Sequence, residues 1–272
     1  MANLQMGSTD PTLAPGPRSP GDLIDLQRTL YESRNPTRRW MHGERLEIIV
    51  GKLREAAATR GGGVALEVGP GAGPYVPTLL ELFDHVVVSD IEPDYLDHIR
   101  TRFGMADDLE IVVDDIAESQ LEGGKFDVVL CSEVLEHTPD PAAVIRGIAR
   151  VLRPGGVLVL STPQAYSTVE LIGRIAFRPG MLQLARVIYR EPVLPTGHIS
   201  LLTRSGVRDL LVGSGFEISS SSVSTFYLPG IAEFGGERGM RLLRRLGSRL
   251  QRGRCSGLLW TQHWTASRRN DG

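Results

Sequence analysis

Five short runs of apolar, largely β-branched residues constrain this fold most: Val64–Val68, His85–Ser89, Leu109–Val113, Phe126–Cys131 and Val157–Ser161. Each is nearly continuous in apolar character, the pattern of a strand covered on both faces in a parallel sheet. Segments of helical period, notably Pro93–Phe103 and Ala142–Leu152, separate some of them. Repeated βα units of this kind predict an α/β protein, an open doubly wound sheet with helices on both faces. Phe216–Tyr227 and Leu258–Ala266 read as two later strands, the second alternating in polarity as an edge strand does. No internal repeat is visible.

Around this centre the chain divides by composition. Residues 1–20 hold Pro11, Pro15, Pro17 and Pro20 among Gly, Ser and Thr, and are expected to be a disordered tail. Residues 21–60 turn helical, with an apolar face at Leu23, Leu26 and Leu30, a break at Asn35-Pro36, and a second stretch through Ala58; they predict a helical cap. Gly61-Gly62-Gly63 ends it, and residues 61–267 form the expected main domain. The stretch at about 164–197 is too long for a simple connection. It mixes Leu171, Ile172, Ile175, Phe177, Met181, Leu182 and Leu184 with Arg174, Arg178, Arg186 and Arg190, which suits an amphipathic lid.

Apolar residues make up 41% of the 272 and charged residues 23%, ordinary globular usage, and a net charge of −2 gives no reason to expect a polyanionic partner. Cys131 and Cys255 are too few for a disulfide framework, and Cys131, in an apolar run, reads as a buried free thiol. The first residues lack the charged-then-apolar pattern of a secretion signal, and no apolar run approaches the roughly 18 residues of a membrane span. A reducing, cytoplasmic setting is the expectation.

The segment Glu67-Val-Gly69-Pro-Gly71-Ala-Gly73 follows directly on the first run. Its glycines permit a tight turn and close approach of backbone to a ligand, and the following helix presents free N–H groups to the same crevice. Dinucleotide enzymes use a similar turn, but their fingerprint requires a third glycine where this chain has Pro74. Glu67, immediately before the turn, suits a ligand carrying a cationic amino acid better than a pyrophosphate. Asp90 closes the second run and can accept both hydrogen bonds of a ribose diol. Asp115-Ile116 follows the third run and offers a carboxylate to an adenine amino group and an apolar contact to its ring. Alone, each acid could be a helix cap or a solvated strand end. Three at successive strand ends, on the carboxyl edge of one sheet, argue for a shared ligand.

The run Ala65–Gly73, then Val88-Ser-Asp90, Phe126–His137 (FDVVLCSEVLEH) and Arg150–Gly156 (RVLRPGG) resembles the class I S-adenosylmethionine-dependent methyltransferases. The resemblance covers residues 61–267 and implies a Rossmann-like, seven-stranded, mostly parallel sheet whose last strand is antiparallel. It implies that Glu67, Gly69, Gly71 and Gly73 hold the methionine portion of the cofactor and that Asp90, with Ile91, holds the ribose. Asp115 and Ile116 would hold the adenine, and Ser132 the cofactor floor. Pro70 stands where the family often has cysteine or serine.

Beyond the fourth run, Glu133, Glu136 and His137 stand at i, i+3 and i+4, so one helical turn would place them on one face. Two carboxylates and an imidazole can hold a divalent cation, hard oxygens suiting Mg²⁺ and the imidazole widening the choice to Mn²⁺ or Zn²⁺. His198, after the insertion, is a candidate fourth ligand. Without a metal, the acids are solvated and His137 lines or caps the pocket. Together with the insertion, this pattern is most similar to the O-methyltransferases of ubiquinone biosynthesis, which pair an acidic-histidine metal motif with a membrane-facing insertion at the same place. The small-RNA 3′-terminal 2′-O-methyltransferases share a Glu-x-x-Glu-His plus distant histidine. Either resemblance implies a hydroxyl acceptor, with His137 and Glu136 as catalytic candidates, through a metal or with His137 as general base.

Charge bears on the choice of acceptor. An RNA enzyme needs a basic footprint for phosphates, and the arginines here cluster in the insertion and in Arg238–Arg254, not in the core. The second cluster interleaves Leu242, Leu243, Leu246 and Leu250 at helical spacing. That is either a core-packed helix with a solvated charged face or a surface for anionic membrane or a lipid-linked substrate. The expected partner is a small-molecule or lipid-linked hydroxyl, with peripheral membrane contact as an accompaniment and nucleic acid disfavoured. A nicotinamide oxidoreductase and a non-catalytic cofactor-binding module are the readings from other classes. Trp40, in Arg38-Arg39-Trp40-Met41-His42, either closes the cofactor pocket or staples two helices, while His85, His98 and His263 are left structural or exposed.

Overall fold

The computed structural model describes residue 31 and residues 36–176, 198–228, 230–253 and 255–270. The expected tail, most of the first stretch of the cap, and residues 177–197 of the insertion lie outside the described residues.

Seven strands form one sheet: β1 (Val64–Val68), β2 (His85–Asp90), β3 (Leu109–Val113), β4 (Phe126–Ser132), β5 (Leu152–Pro163), β6 (Phe216–Ser224) and β7 (Thr261–Arg268). Their order is β3-β2-β1-β4-β5-β7-β6. The first five pair in parallel, and β7 runs antiparallel to both its neighbours. This is the expected Rossmann-like, mostly parallel sheet. The chain reverses its direction of winding between β1 and β4, and in open α/β sheets such a switch point opens a crevice at the carboxyl ends of the strands.

Because side chains alternate across a strand, the continuous apolar runs feed two cores. On one face Leu66, Val87, Val129, Cys131 and Leu158 meet α4 (Pro141–Val151) and α6 (Arg204–Gly213). On the other, Ala65, Val86, Val88, Val128 and Val159 meet α1 (Pro36–Arg60), α2 (Val76–Leu82) and α3 (Pro93–Phe103). Helix starts follow local chemistry. Asp140 caps α4 by accepting from the Ala143 N–H, and Pro93 and Pro141 occupy first turns, where no N–H is needed. Cys131 is buried and unpaired, as expected, and Cys255 is an exposed free thiol.

One expectation about shape needs correction. β7 is not an edge strand: it lies between β5 and β6, and the edges are β3 and β6. Its polar alternation arises inside the protein. Lys52 of α1 donates to Thr265 Oγ1 (3.1 Å) and Ser220 Oγ (3.0 Å), and buried His263 pairs with Ser224 Oγ at 2.8 Å. The insertion begins with α5 (Thr168–Ala176), only after β5 has run to Pro163. The remaining helices are α7 (Ile231–Phe234) and α8 (Gly236–Gln251).

Gly147 of α4 lets that helix lie directly on the turn after β3: a Cβ there would stand 1.7 Å from the Ile116 carbonyl oxygen. Gly147→Ala should therefore cost about 1–3 kcal/mol in urea unfolding, as overpacking does; an unchanged midpoint would show that α4 can shift freely.

Candidate active site

At the end of β1 the chain turns through Gly69, Gly71 and Gly73 at φ of 68°, 52° and 71°. These are left-handed conformations that side-chain-bearing residues rarely adopt. Space is also short, since a Cβ on Gly69 would lie 2.6 Å from Val134 Cγ2 and one on Gly73 2.6 Å from Ile99 Cδ1. Just before the turn Glu67 is buried, and its Oε2 has no hydrogen-bond partner among the described residues. Burial without a cation pushes its carboxyl up to about 8.

The other strand ends converge beside it. Asp90 Oδ1 accepts from the Glu92 N–H at 2.9 Å. Burial lifts the Asp90 carboxyl above its ordinary range, against the hydrogen bonds from Glu92 and Ile91 that lower it. Ile91 is 62% exposed, a large apolar surface next to that carboxylate. Asp115 is exposed and caps the short turn Ile116–Glu118, its Oδ1 accepting from the Ala117 N–H at 2.9 Å. Ile116 is buried in the core, so the open apolar surface on this side belongs to Ile91 and Val113. Neighbouring Asp114, which the sequence did not single out, is buried; one oxygen accepts from the Gln120 N–H and the other has no partner among the described residues. Ser132 shares a 2.9 Å hydrogen bond with Ser161 and donates to the Tyr75 hydroxyl at 3.4 Å.

Past Ser132 the expected helical face does not form. Glu133 adopts φ 58°, and the turn, a 3₁₀ one, spans only Leu135–His137. Glu133 consequently points to α1, where Arg45 Nη1 donates to its Oε2 at 2.7 Å, while Ser161 donates to its Oε1 at 3.0 Å. Arg45 is itself buried, contacts the Tyr31 hydroxyl and His42 Nδ1 at 3.3 Å each, and stacks 5.3 Å from the Trp260 ring centre. Glu133 is therefore withdrawn from the expected ligand set. The structure brings together the other three: Glu136, His137 and His198 present ligand-capable atoms within 4.8 Å of one another. The two imidazoles meet edge to face at 5.2 Å.

Glu136 is fully buried; Thr162 donates to its Oε2 at 2.9 Å, and its Oε1 has no partner among the described residues. Burial, and then the nearby Glu133 charge, hold its carboxyl well above the usual range. His137 is exposed at the mouth. A metal bonded at about 2.1 Å to each ligand would draw the three atoms in slightly. With two imidazoles and one carboxylate the set fits Zn²⁺ or Mn²⁺ better than Mg²⁺, a change from the oxygen-rich site expected.

Trp40 is a staple. It packs with Phe226, Leu243 and Trp260 in a third apolar cluster, and Arg244 of α8 lies 5.5 Å over its ring. Arg45, Ser161 and Tyr75 escaped the sequence reading; the one available signal was an arginine five residues after Trp40 on the same helix.

Comparison with known proteins bears on the family and the fold. Residues 66–160 match the family described as "Methyltransferase domain". A protein of Mycolicibacterium smegmatis named "Probable S-adenosylmethionine-dependent methyltransferase" is 30% identical over 72% of this chain and 66% of its own length. The ubiquinone biosynthesis O-methyltransferase of Xanthomonas oryzae pv. oryzae is 37% identical over 43% of this chain and 48% of its own length. Among solved structures, the magnesium protoporphyrin IX methyltransferase of Synechocystis PCC 6803 superposes with a TM-score of 0.56 at 18% identity, covering 90% of this chain and 94% of that one, a likeness of fold. The chain belongs to the class I S-adenosylmethionine-dependent methyltransferases. It spans about half to two thirds of the length of these curated relatives.

Glu67 generates a prediction about pH. A ligand ammonium is attracted by the carboxylate form, whereas the free protein holds the neutral form below about pH 8. S-adenosylhomocysteine should therefore bind with release of a proton, its affinity rising about tenfold per unit between pH 6 and 8 and levelling above. Calorimetry in buffers of different ionisation heat measures both, and Glu67→Gln should remove the slope. A pH-independent affinity in the unaltered protein would place the ammonium elsewhere.

Proposed function

We propose that this protein transfers a methyl group from S-adenosylmethionine to a hydroxyl of a small-molecule or lipid-linked acceptor. The observation that carries the reading is the grouping of Glu136, His137 and His198 just past the carboxyl end of β4, beside the crevice of Glu67 and Asp90. A hydroxyl is a poor nucleophile until its proton is removed, which needs a base or an electrophile at the oxygen.

The residues present fit the cofactor. Glu67's unpartnered buried oxygen would take the methionine ammonium, and the tight turn through Gly69, Gly71 and Gly73 would take its carboxylate. Asp90 would hold the ribose diol, Asp115 the adenine amino group, and Ile91 would cover the ring. Bound S-adenosylmethionine supplies an electrophilic methyl on a sulfonium. Glu136, His137 and His198 would hold a divalent cation, and such a cation would supply a Lewis acid at the acceptor oxygen. Without a cation, His137, the exposed member, would instead take the proton of that oxygen as general base.

Glu133's commitment to Arg45 removes the first carboxylate of the acidic-histidine set that both resemblances share, so it does not choose between their acceptors. A lipid-linked one is supported by α8. It buries Gly239, Leu243 and Gly247, and turns Arg238, Leu242, Arg245 and Arg249 outward along one ridge, with exposed Phe234 at its near end. Such a helix suits an anionic lipid surface.

Two measurements test these readings. His137→Ala and Glu136→Ala should leave S-adenosylhomocysteine affinity within about twofold and lower methyl transfer by 10²-fold or more, in the range of general acid–base contributions. Full turnover in either variant, on any hydroxyl acceptor found by screening, would overturn the acceptor-site assignment. Vesicles of phosphatidylglycerol should co-sediment the protein in low salt and vesicles of phosphatidylcholine should not. Arg245→Glu with Arg249→Glu should abolish that binding, and equal sedimentation with both lipids would remove the case for α8.

A further inference from the structure

One buried acid takes no part in the reactions described above. Glu170 lies in the first turns of α5, the opening helix of the insertion, and is almost wholly buried. It is one of two acids between Pro163 and His198, the other being Glu191. Its Oε1 stands 3.1 Å from Nδ1 of His198. The two atoms are in contact without forming an aligned hydrogen bond, and neither makes one with any other described group, so a small turn of the imidazole would complete the pair. A carboxylate removed from water costs several kcal/mol unless it is paired, and the imidazole N–H is the partner within reach.

Both residues are anchored. The Glu170 N–H donates to Ser167 Oγ at 3.2 Å, and Thr168 Oγ1 donates to the Leu258 carbonyl at 3.3 Å, fixing the start of α5 against the lead-in to β7. On the other side the N–H groups of Ile199 and Ser200 donate to the Glu136 carbonyl at 2.8 and 3.1 Å, fixing His198 beside the turn that carries Glu136 and His137. Glu170 and His198 thus join the entry and the exit of the insertion across the edge of the acceptor site.

We propose that Glu170 is a positioning residue that holds the Nδ1–H of His198 and so leaves Nε2 as the lone-pair nitrogen that His198 brings to its group with Glu136 and His137. A neutral imidazole carries one proton, so the nitrogen facing the carboxylate keeps it and the other presents a lone pair. Histidines that ligate metals are oriented in this way by a carboxylate on the second nitrogen. The role that Nε2 then plays rests on the acceptor-site reading given above; the pairing itself does not.

The test reads the tautomer directly, by long-range ¹H–¹⁵N correlation on the full chain at about pH 8, above the ordinary imidazole range. His198 should carry its proton on Nδ1. Glu170→Gln, whose amide oxygen still accepts, should preserve that tautomer, and Glu170→Leu should shift it toward Nε2–H. Titration with Zn²⁺ should show affinity about 10–100-fold lower in Glu170→Leu and largely rescued in Glu170→Gln, with S-adenosylhomocysteine affinity unchanged in both. Proton on Nε2 in the unaltered protein, or a tautomer indifferent to Glu170→Leu, overturns the proposal. If Glu170→Leu does not fold, the unaltered protein and Glu170→Gln still decide it. A tautomer that follows Glu170 in a protein that binds no Zn²⁺ upholds the positioning role while sinking the metal reading.

Discussion

The buried pair between Arg45 and Glu133 is the contact on which the site depends. Three carboxylates, Glu67, Glu133 and Glu136, lie buried or nearly so at the carboxyl ends of β1 and β4. Arg45 is the cation that meets one of them directly. Removing one member of such a pair leaves an uncompensated buried charge, at a cost of about 3–5 kcal/mol. The pair therefore fixes where α1 crosses the sheet, and that helix closes one core through Ile49 and Leu53 while stapling α8 through Trp40. It also explains how Glu133 persists at φ 58°, a conformation that costs roughly 1–3 kcal/mol and survives only where surroundings over-determine it.

Most of the sheet was legible because strands buried on both faces leave unbroken apolar runs, and the glycines at 69, 71 and 73 were legible because a turn this tight admits little else. The assignments at Glu67, Asp90 and Asp115 followed from position at strand ends, that at Ser132 from the family resemblance, and all four stand at the carboxyl edge of the sheet. What failed rested on inferring surroundings from local pattern. Helical spacing predicted a shared face for Glu133, Glu136 and His137, but a left-handed residue at 133 broke the period before the turn began. Arg45 and Glu133 are 88 positions apart, and no periodicity connects them. Glu170 lay in a segment read as an amphipathic lid, where an acid looks like part of the solvated face.

β7 shows a subtler limit. Alternating polarity marks two unlike faces, and the usual pair is core and solvent. Here both faces are interior: Trp264 and Ala266 join one apolar core, while His263 and Thr265 meet a polar layer under α1. His263 can occupy that layer because burial, then Arg45 and Lys52, depress its pKa to about 3. It stays neutral and adds no third positive charge. Alternation in the sequence reports a difference between neighbours, and only the tertiary fold says which neighbour is water.

Charge balance ties these features to the ligand. After Arg45 has neutralised Glu133, the crevice retains Glu67, Glu136 and Asp90 as acids whose carboxyls burial lifts above their ordinary range. Acids whose carboxyls burial has raised ionise more readily when a cation enters, because the cation's attraction then offsets the desolvation. S-adenosylmethionine brings two positive centres, an ammonium and a sulfonium, against one carboxylate. A dinucleotide's two phosphate charges would oppose that ionisation. The excess of unpaired acid over base at this edge, more than the glycine turn that dinucleotide enzymes share, selects the sulfonium cofactor.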